Sequence, residues 1–203
     1  MYNFTFNIPT KIHFGKDTIS SLSELKAYGS KVLLVYGGGS IKKNGLYDTA
    51  MKILKDAGLT VFELSGVEPN PKIETVRKGV EICKNEGIDM VLAIGGGSTI
   101  DCSKVVAAGA KYDGDAWDLV LDGSKVKAAL PIFDVLTLSA TGTEMDPFAV
   151  ISDMSKNEKW GTGSPYMVPT MSILNPEYTF SVSKKQTAAG TADMMSHTME
   201  NYF

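Results

Sequence analysis

Apolar residues along this chain follow two periods, and the changes of period mark its elements. Val32–Tyr36, Val61–Leu64 and Val91–Ile94 are short apolar runs. After each, apolar residues recur every three or four positions: through Tyr47, Met51 and Leu54 to Gly58, through Ile73–Lys84 to Gly87, and through Ile100–Ala110. A buried strand followed by an amphipathic helix, repeated in this way, predicts a parallel sheet with right-handed crossovers. Ahead of these units, Phe4, Phe6 and Ile8 alternate with polar residues, as do Ile12 and Phe14 after Pro9, which predicts a hairpin ending at Gly15. Asp17–Ala27 carries a helical stripe of Ile19, Leu22 and Leu25. Further on, Lys111–Ala129 reads as loop, with turns at Asp113-Gly114 and Asp122-Gly123. Pro131–Leu138 is a strand, Ala149–Ser152 and Lys159–Gly161 form a hairpin around Ser155-Lys156-Asn157, and Met171–Leu174 is a strand closed by Asn175-Pro176. From Lys184 the pattern is helical again, opened by a capping serine.

Two of the strands end in the same tetrapeptide. Gly37-Gly38-Gly39-Ser40 follows the first, and Gly95-Gly96-Gly97-Ser98 follows the third. Glycine permits positive φ and lets a ligand approach the backbone, while the free N–H groups of a following helix attract an anion. One such turn is more often a plain turn than a phosphate cradle. It is not a P-loop, since no Gly-Lys-Ser/Thr closes it, nor a Gly-x-Gly-x-x-Gly fingerprint. Two copies in one sheet point to a single extended ligand that touches both, and a dinucleotide fits. Asp101 lies three residues after Ser98, so these two also read as a capping box. After the Pro131–Leu138 strand, Ser139-Ala140-Thr141-Gly142-Thr143-Glu144 offers hydroxyl donors for a phosphate or ribose, or an ordinary turn.

The 203 residues are 43% hydrophobic and 21% charged, ordinary values for a globular enzyme of one or two domains. A net charge of −3 with no basic stripe argues against a nucleic-acid partner. Cys83 and Cys102 form no Cys-x-x-Cys, which fits a reducing compartment. No signal-peptide pattern and no run of membrane-spanning length is present, so a cytoplasmic protein without membrane attachment is expected. Of the two histidines, His13 reads as a strand residue. His197 lies four residues after Asp193, on one helical face. That pair reads either as part of a divalent-cation site or as an exposed pair, and two ligands alone do not close a site.

The double Gly-Gly-Gly-Ser, Thr137–Glu144 and Gly190-Thr-Ala-Asp-Met-Met-Ser-His-Thr-Met-Glu-Asn-Tyr202 together resemble the iron-containing (group III) alcohol dehydrogenases. Within that family the sequence looks most like the NADPH-dependent butanol dehydrogenase branch, and like an amino-terminal portion of such an enzyme. The resemblance implies a Rossmann-like α/β dinucleotide-binding domain over residues 1–180. Residues 181–203 would then be the first helix of an all-helical metal-binding domain of the dehydroquinate synthase-like architecture. It also implies NADP(H), with Gly38, Gly39 and Ser40 at the adenosine ribose and Gly95, Gly96, Gly97 and Ser98 at the pyrophosphate. Thr137, Ser139 and Thr141 would lie along the phosphates and nicotinamide, with Asn70, Lys159 and Tyr178 nearby and Asp101 near the nicotinamide as the catalytic candidate. Asp193 and His197 correspond to two ligands of a divalent metal, iron or zinc. Two further histidines of the family's site have no counterpart in this sequence. The implied chemistry is hydride transfer between the nicotinamide and a short-chain aldehyde or primary alcohol whose oxygen the metal polarises. The resemblance further implies a homo-oligomer, a dimer, for the full enzyme. A relative of glycerol dehydrogenase or dehydroquinate synthase, and a nucleotide-binding fragment without turnover, are the alternatives. The absence of a carboxylate in Gly37–Ser40 favours NADP(H), because NAD-selective sites place an acid at the ribose 2′-hydroxyl.

Overall fold

The computed structural model describes residues 3, 5 and 7–203. Its strands are β1 (Lys11–Phe14), β2 (Lys31–Tyr36), β3 (Thr60–Leu64), β4 (Met90–Gly95), β5 (Ile132–Leu136), β6 (Phe148–Asp153), β7 (Glu158–Gly163) and β8 (Met171–Leu174). Its α-helices are α1 (Ser40–Lys43), α2 (Leu46–Asp56), α3 (Ile73–Glu86), α4 (Gly97–Gly109), α5 (Ala116–Leu121) and α6 (Lys184–Tyr202). Six strands form one sheet in the order β1-β8-β5-β4-β2-β3, every pair parallel. Strands β6 and β7 make a separate antiparallel hairpin.

The continuous apolar runs follow from burial on both faces. In β2, Leu33 and Val35 face one core with α3, α4 and α5, while Val32, Leu34 and Tyr36 face a second core with α2. The strand order also fixes the crevice. From β2 the chain passes outward to β3 and then returns to lay β4 on the other side of β2. Such a reversal opens a gap at the carboxyl ends of the two central strands. Both Gly-Gly-Gly-Ser turns sit there, one after β2 and one after β4.

Three expectations are corrected. Among the described residues no N-terminal hairpin forms: β1 pairs in parallel with β8, Lys11 beside Met171 through Phe14 beside Leu174. Phe4 and Phe6 lie outside the described residues. Local alternation identifies an edge strand but not its distant partner. The Asp17–Ala27 stripe is helical, but as a 3-10 helix over Thr18–Ala27 with Leu22 and Leu25 buried. The third correction is α5, inside the segment expected to be loop. The Asp115 carboxylate accepts the Trp117 N–H at 2.8 Å and caps its start, and Arg77 donates two hydrogen bonds to the same carboxylate. Ala116, Trp117, Leu119 and Val120 are buried. Six residues are too few for a helical period to show in sequence. Helix α6 begins at Ser183, whose Oγ accepts the Gln186 N–H, and none of its residues is buried. Among the described residues no helix is long and apolar enough to cross a membrane.

Candidate functional site

The two glycine turns have the same sequence and different geometry. After β2, Gly39 holds φ 100° and starts the short helix α1. A side chain at Gly38 or Gly39 would meet nothing within 4 Å. After β4, Gly96 is extended, with φ −91° and ψ −171°, so positive φ is not what glycine provides there. The expectation of left-handed glycines therefore holds for the first turn only. In the second turn the need is space: a Cβ on Gly95 would lie 2.5 Å from Thr99 Oγ1, and one on Gly97 would lie 2.9 Å from Thr141 Oγ1.

The Ser98–Asp101 capping box is also corrected, since no side chain caps α4. Ser98 Oγ accepts the Asn70 N–H at 3.3 Å, and Lys159 Nζ donates to Asn70 Oδ1 at 2.7 Å. Asn70 adopts φ 54°, turned back over the second glycine turn from the loop after β3. Asp101 is turned the other way. Its Oδ1 accepts Thr143 Oγ1–H at 2.6 Å and its Oδ2 accepts the Val150 N–H at 2.9 Å. Burial raises its carboxyl above the usual aspartate range, opposed by those two hydrogen bonds. The N-terminus of α4 is thus left with free N–H groups and the positive end of a helix dipole.

Behind the turn lies a residue that periodicity alone assigns to an apolar face. Lys104 is fully buried. Its ammonium lies 2.8 Å from each of Thr143 Oγ1, the Asp146 carbonyl, Asp146 Oδ1 and the Phe148 carbonyl. Burial lowers its pKa, while Asp146 opposes the shift. Lys104 and Asp101, on α4, therefore bind the loop of residues 137–147 to the helix that begins at the glycine turn. A lysine at the i+4 position from Ile100 on a buried face was the signal available in sequence.

Ser40, Thr137, Tyr178, Ser139 and Asp193 line two adjoining cavities between the sheet's carboxyl end and α6, whereas Gly38, Gly39, Thr141 and His197 line neither. One cavity of about 480 Å³ is walled by Ser40, Lys43, Thr137, Tyr178 and Gln186, among others. It continues past Leu138, Val182 and Gln186 into a second cavity of about 280 Å³ that reaches Ser139, Gly190 and Asp193. Lys43, not Lys42, therefore shares the cavity with Ser40. Lys42 instead lies 4.4 Å from the Tyr47 ring centroid and 5.0 Å from that of Tyr36. The hydroxyls of Tyr36 and Tyr47 donate to Glu63 at 2.6 and 2.8 Å. His13 is a β1 residue with Nε2 3.2 Å from Glu24. Both cysteines are buried and unpaired, and burial pushes the Cys83 thiol up to about 12.

Asp193 and His197 do share a face of α6, with Oδ1 and Nε2 3.7 Å apart, both largely exposed. Among the described residues no group of three or more His, Cys, Asp or Glu side chains comes together to hold a metal ion.

Residues 9–176 match the model of the family described as iron-containing alcohol dehydrogenase. The chain belongs to that family. It is 62% identical over 204 residues to the NADH-dependent butanol dehydrogenase A of Clostridium acetobutylicum, covering 100% of this chain and 52% of that protein. It is 40% identical over 205 residues to the NADPH-dependent aldehyde reductase YqhD of Escherichia coli, with the same coverage of 100% and 52%. The crystal structure of an NADH-dependent butanol dehydrogenase A from Thermotoga maritima matches with a TM-score of 0.93 at 49% identity, over 98% of this chain and 51% of that one. The chain thus spans about half the length of the curated relatives it matches. As iron-containing alcohol dehydrogenases go, these relatives carry both cofactors in their names, and the 62% identical one is named for NADH.

Proposed function

We propose that this chain is the nucleotide-binding half of a butanol dehydrogenase-like oxidoreductase that moves a hydride between NADP(H) and a short-chain aldehyde or primary alcohol. The observation that carries this reading is the pairing of two glycine turns across the sheet's switch point, one of them opening an uncapped 13-residue helix. Residues 1–180 are read as the dinucleotide domain and 181–203 as the first helix of a helical one, in a dimeric full enzyme.

The residues fit a dinucleotide. Gly95 and Gly97 let the turn pack against Thr99 and Thr141 where a Cβ would collide, and a pyrophosphate would take the uncapped first N–H groups of α4. Ser40 and Lys43, in the same cavity, would take the adenosine ribose and its 2′-phosphate. Glu63 does not compete for the ribose hydroxyls, because two tyrosine hydroxyls occupy it. Thr137 and Tyr178 would wall the nicotinamide side, with Thr141 against Gly97. Asp101 would sit near the nicotinamide, and Lys159 would steady Asn70 over the turn. When bound, the nicotinamide supplies the hydride.

The metal is a different case. Asp193 and His197 would be two of the donors to iron or zinc, but a closed transition-metal site needs at least three protein ligands. Two exposed side chains do not meet that requirement, so no step is assigned to a metal.

The test is a titration of NADPH and NADH, followed by nicotinamide fluorescence. Tighter binding of NADPH supports the reading. Equal affinities, or a preference for NADH, would overturn the NADP(H) assignment. Failure of both to bind would overturn the site.

A further inference from the structure

Asp134 stands in the middle of β5, 1% exposed, on the face that packs against α4. Across the sheet on β8 its register partner is Ser172, itself fully buried. Ser172 Oγ lies 2.6 Å from Asp134 Oδ2 and 2.7 Å from the backbone carbonyl oxygen of Glu144. A hydroxyl has one proton and cannot donate to both. The Glu144 carbonyl can only accept, so one of the two contacts requires a second proton. Only the Asp134 carboxyl can supply it.

The surroundings agree. Asp134 Oδ1 has no hydrogen-bond partner, tolerable for the carbonyl of a neutral acid and costly for a buried carboxylate oxygen. The nearby charged groups give an ionised Asp134 little help. Lys104, from α4, spends its ammonium on Thr143, Asp146 and Phe148. Glu144, from the loop, is itself acidic and has Oε2 buried without a partner. Asp101 and Asp146, which face Lys104, add further negative charge. On the remaining side, β4 offers only Ala93 beside Asp134.

We propose that Asp134 is a neutral carboxylic acid that donates to Ser172, so that Ser172 donates to Glu144 and latches the 137–147 loop onto the sheet. The loop carries Thr137, Ser139 and Thr141, and is also held by Asp101 and Lys104 of α4 and, at its two ends, by Thr137 N–H to the Gly95 carbonyl and Ser164 N–H to the Pro147 carbonyl. Asp134 is therefore a positioning residue that holds those hydroxyls by its proton. Burial away from water pushes its carboxyl up to about 8, with Ser172 and Lys104 opposing and Glu144 adding to the rise. The folded chain keeps a proton that the unfolded chain releases at the ordinary aspartate range. Stability from this group is accordingly full in acid and declines as pH rises, until the folded carboxyl ionises near 8. Above that pH the Ser172 hydroxyl turns to the carboxylate and the Glu144 carbonyl loses its donor.

The experiment is infrared spectroscopy of the carboxylic acid C=O band with hydrogen exchange of the 137–147 amides, both across pH 6–10, on wild type, Asp134→Asn and Ser172→Ala. An asparagine at 134 can still donate to Ser172, so it mimics the protonated acid at every pH. Wild type should show a protonated-acid band at neutral pH that vanishes on alkalisation, with the loop's protection factors, corrected for the intrinsic rise of exchange with pH, falling roughly fivefold as one hydrogen bond is lost. Asp134→Asn should lack the band and keep its protection factors throughout, whereas Ser172→Ala should show low protection factors at every pH. No such band in wild type at neutral pH, or a Ser172→Ala loop protected like wild type, would overturn the proposal. Loss of the band in Asp134→Asn assigns it to Asp134 rather than to Asp101, whose carboxyl burial also raises. Cofactor affinity should weaken with the same pH profile, but that arm alone rests on the proposed dinucleotide site. A flat NADPH affinity beside a moving band and moving exchange would count against that site while upholding the latch.

Discussion

The two Gly-Gly-Gly-Ser turns are one sequence used for two physical purposes. After β2, Gly38 and Gly39 are open and Gly39 is left-handed; they begin a four-residue helix whose lysines are exposed. After β4, Gly96 is extended while Gly95 and Gly97 are crowded by Thr99 and Thr141; they begin a 13-residue helix that is buried for most of its length. A short exposed helix offers little dipole and can adapt. A long buried one fixes its free N–H groups in place, which is the better cradle for a doubly charged pyrophosphate. Under the proposed function, the two identical turns would divide the labour, with selectivity at the first and anchoring at the second.

The largest expected break in that contrast lies beneath the turns. Lys104→Met should destabilise the fold by about 3–5 kcal/mol, because Asp146 and its neighbours lose a buried cation. Urea unfolding followed by circular dichroism checks this. Next comes the pair Gly95→Ala and Gly38→Ala. The first forces a Cβ into Thr99 and should cost about 1–3 kcal/mol, while the second meets nothing and should stay within about 0.5 kcal/mol. Equal effects in thermal melts would erase the distinction drawn between the turns. A smaller effect than that of Gly95→Ala belongs to Lys42→Met, which removes an exposed cation beside the rings of buried Tyr36 and half-buried Tyr47. A loss comparable to that of Lys104→Met would mean that the first turn is anchored like the second.

Much of the sheet was legible in sequence because strands buried on both faces are uniformly apolar, as β2 and β4 are. The glycine turns were legible as turns, but the reason for each glycine was not. Whether a position needs positive φ or empty space depends on Thr99 and Thr141, which only the fold brings close. Asp134 and Ser172 are 38 residues apart and meet through strand order, which no local pattern encodes. The partner of β1 was hidden for the same reason. Of the candidate site, Ser40, Thr137 and Tyr178 do line one cavity and Ser139 and Asp193 the next. Lys104 stood on the apolar stripe and Thr143 among the hydroxyls after β5, but their meeting across 39 residues depends on the fold.

The central claim is that the first turn selects the cofactor and the second holds it. The most direct measurement is the ratio of NADPH to NADH affinity in wild type, Ser40→Asp and Gly95→Ala, by isothermal titration. An acid at position 40 repels a 2′-phosphate and binds the ribose hydroxyls, so Ser40→Asp should shift the ratio at least about tenfold towards NADH. Gly95→Ala should weaken both cofactors by a common factor of about ten or more and leave the ratio unchanged. A ratio that moves in Gly95→Ala, or stays fixed in Ser40→Asp, would contradict the account.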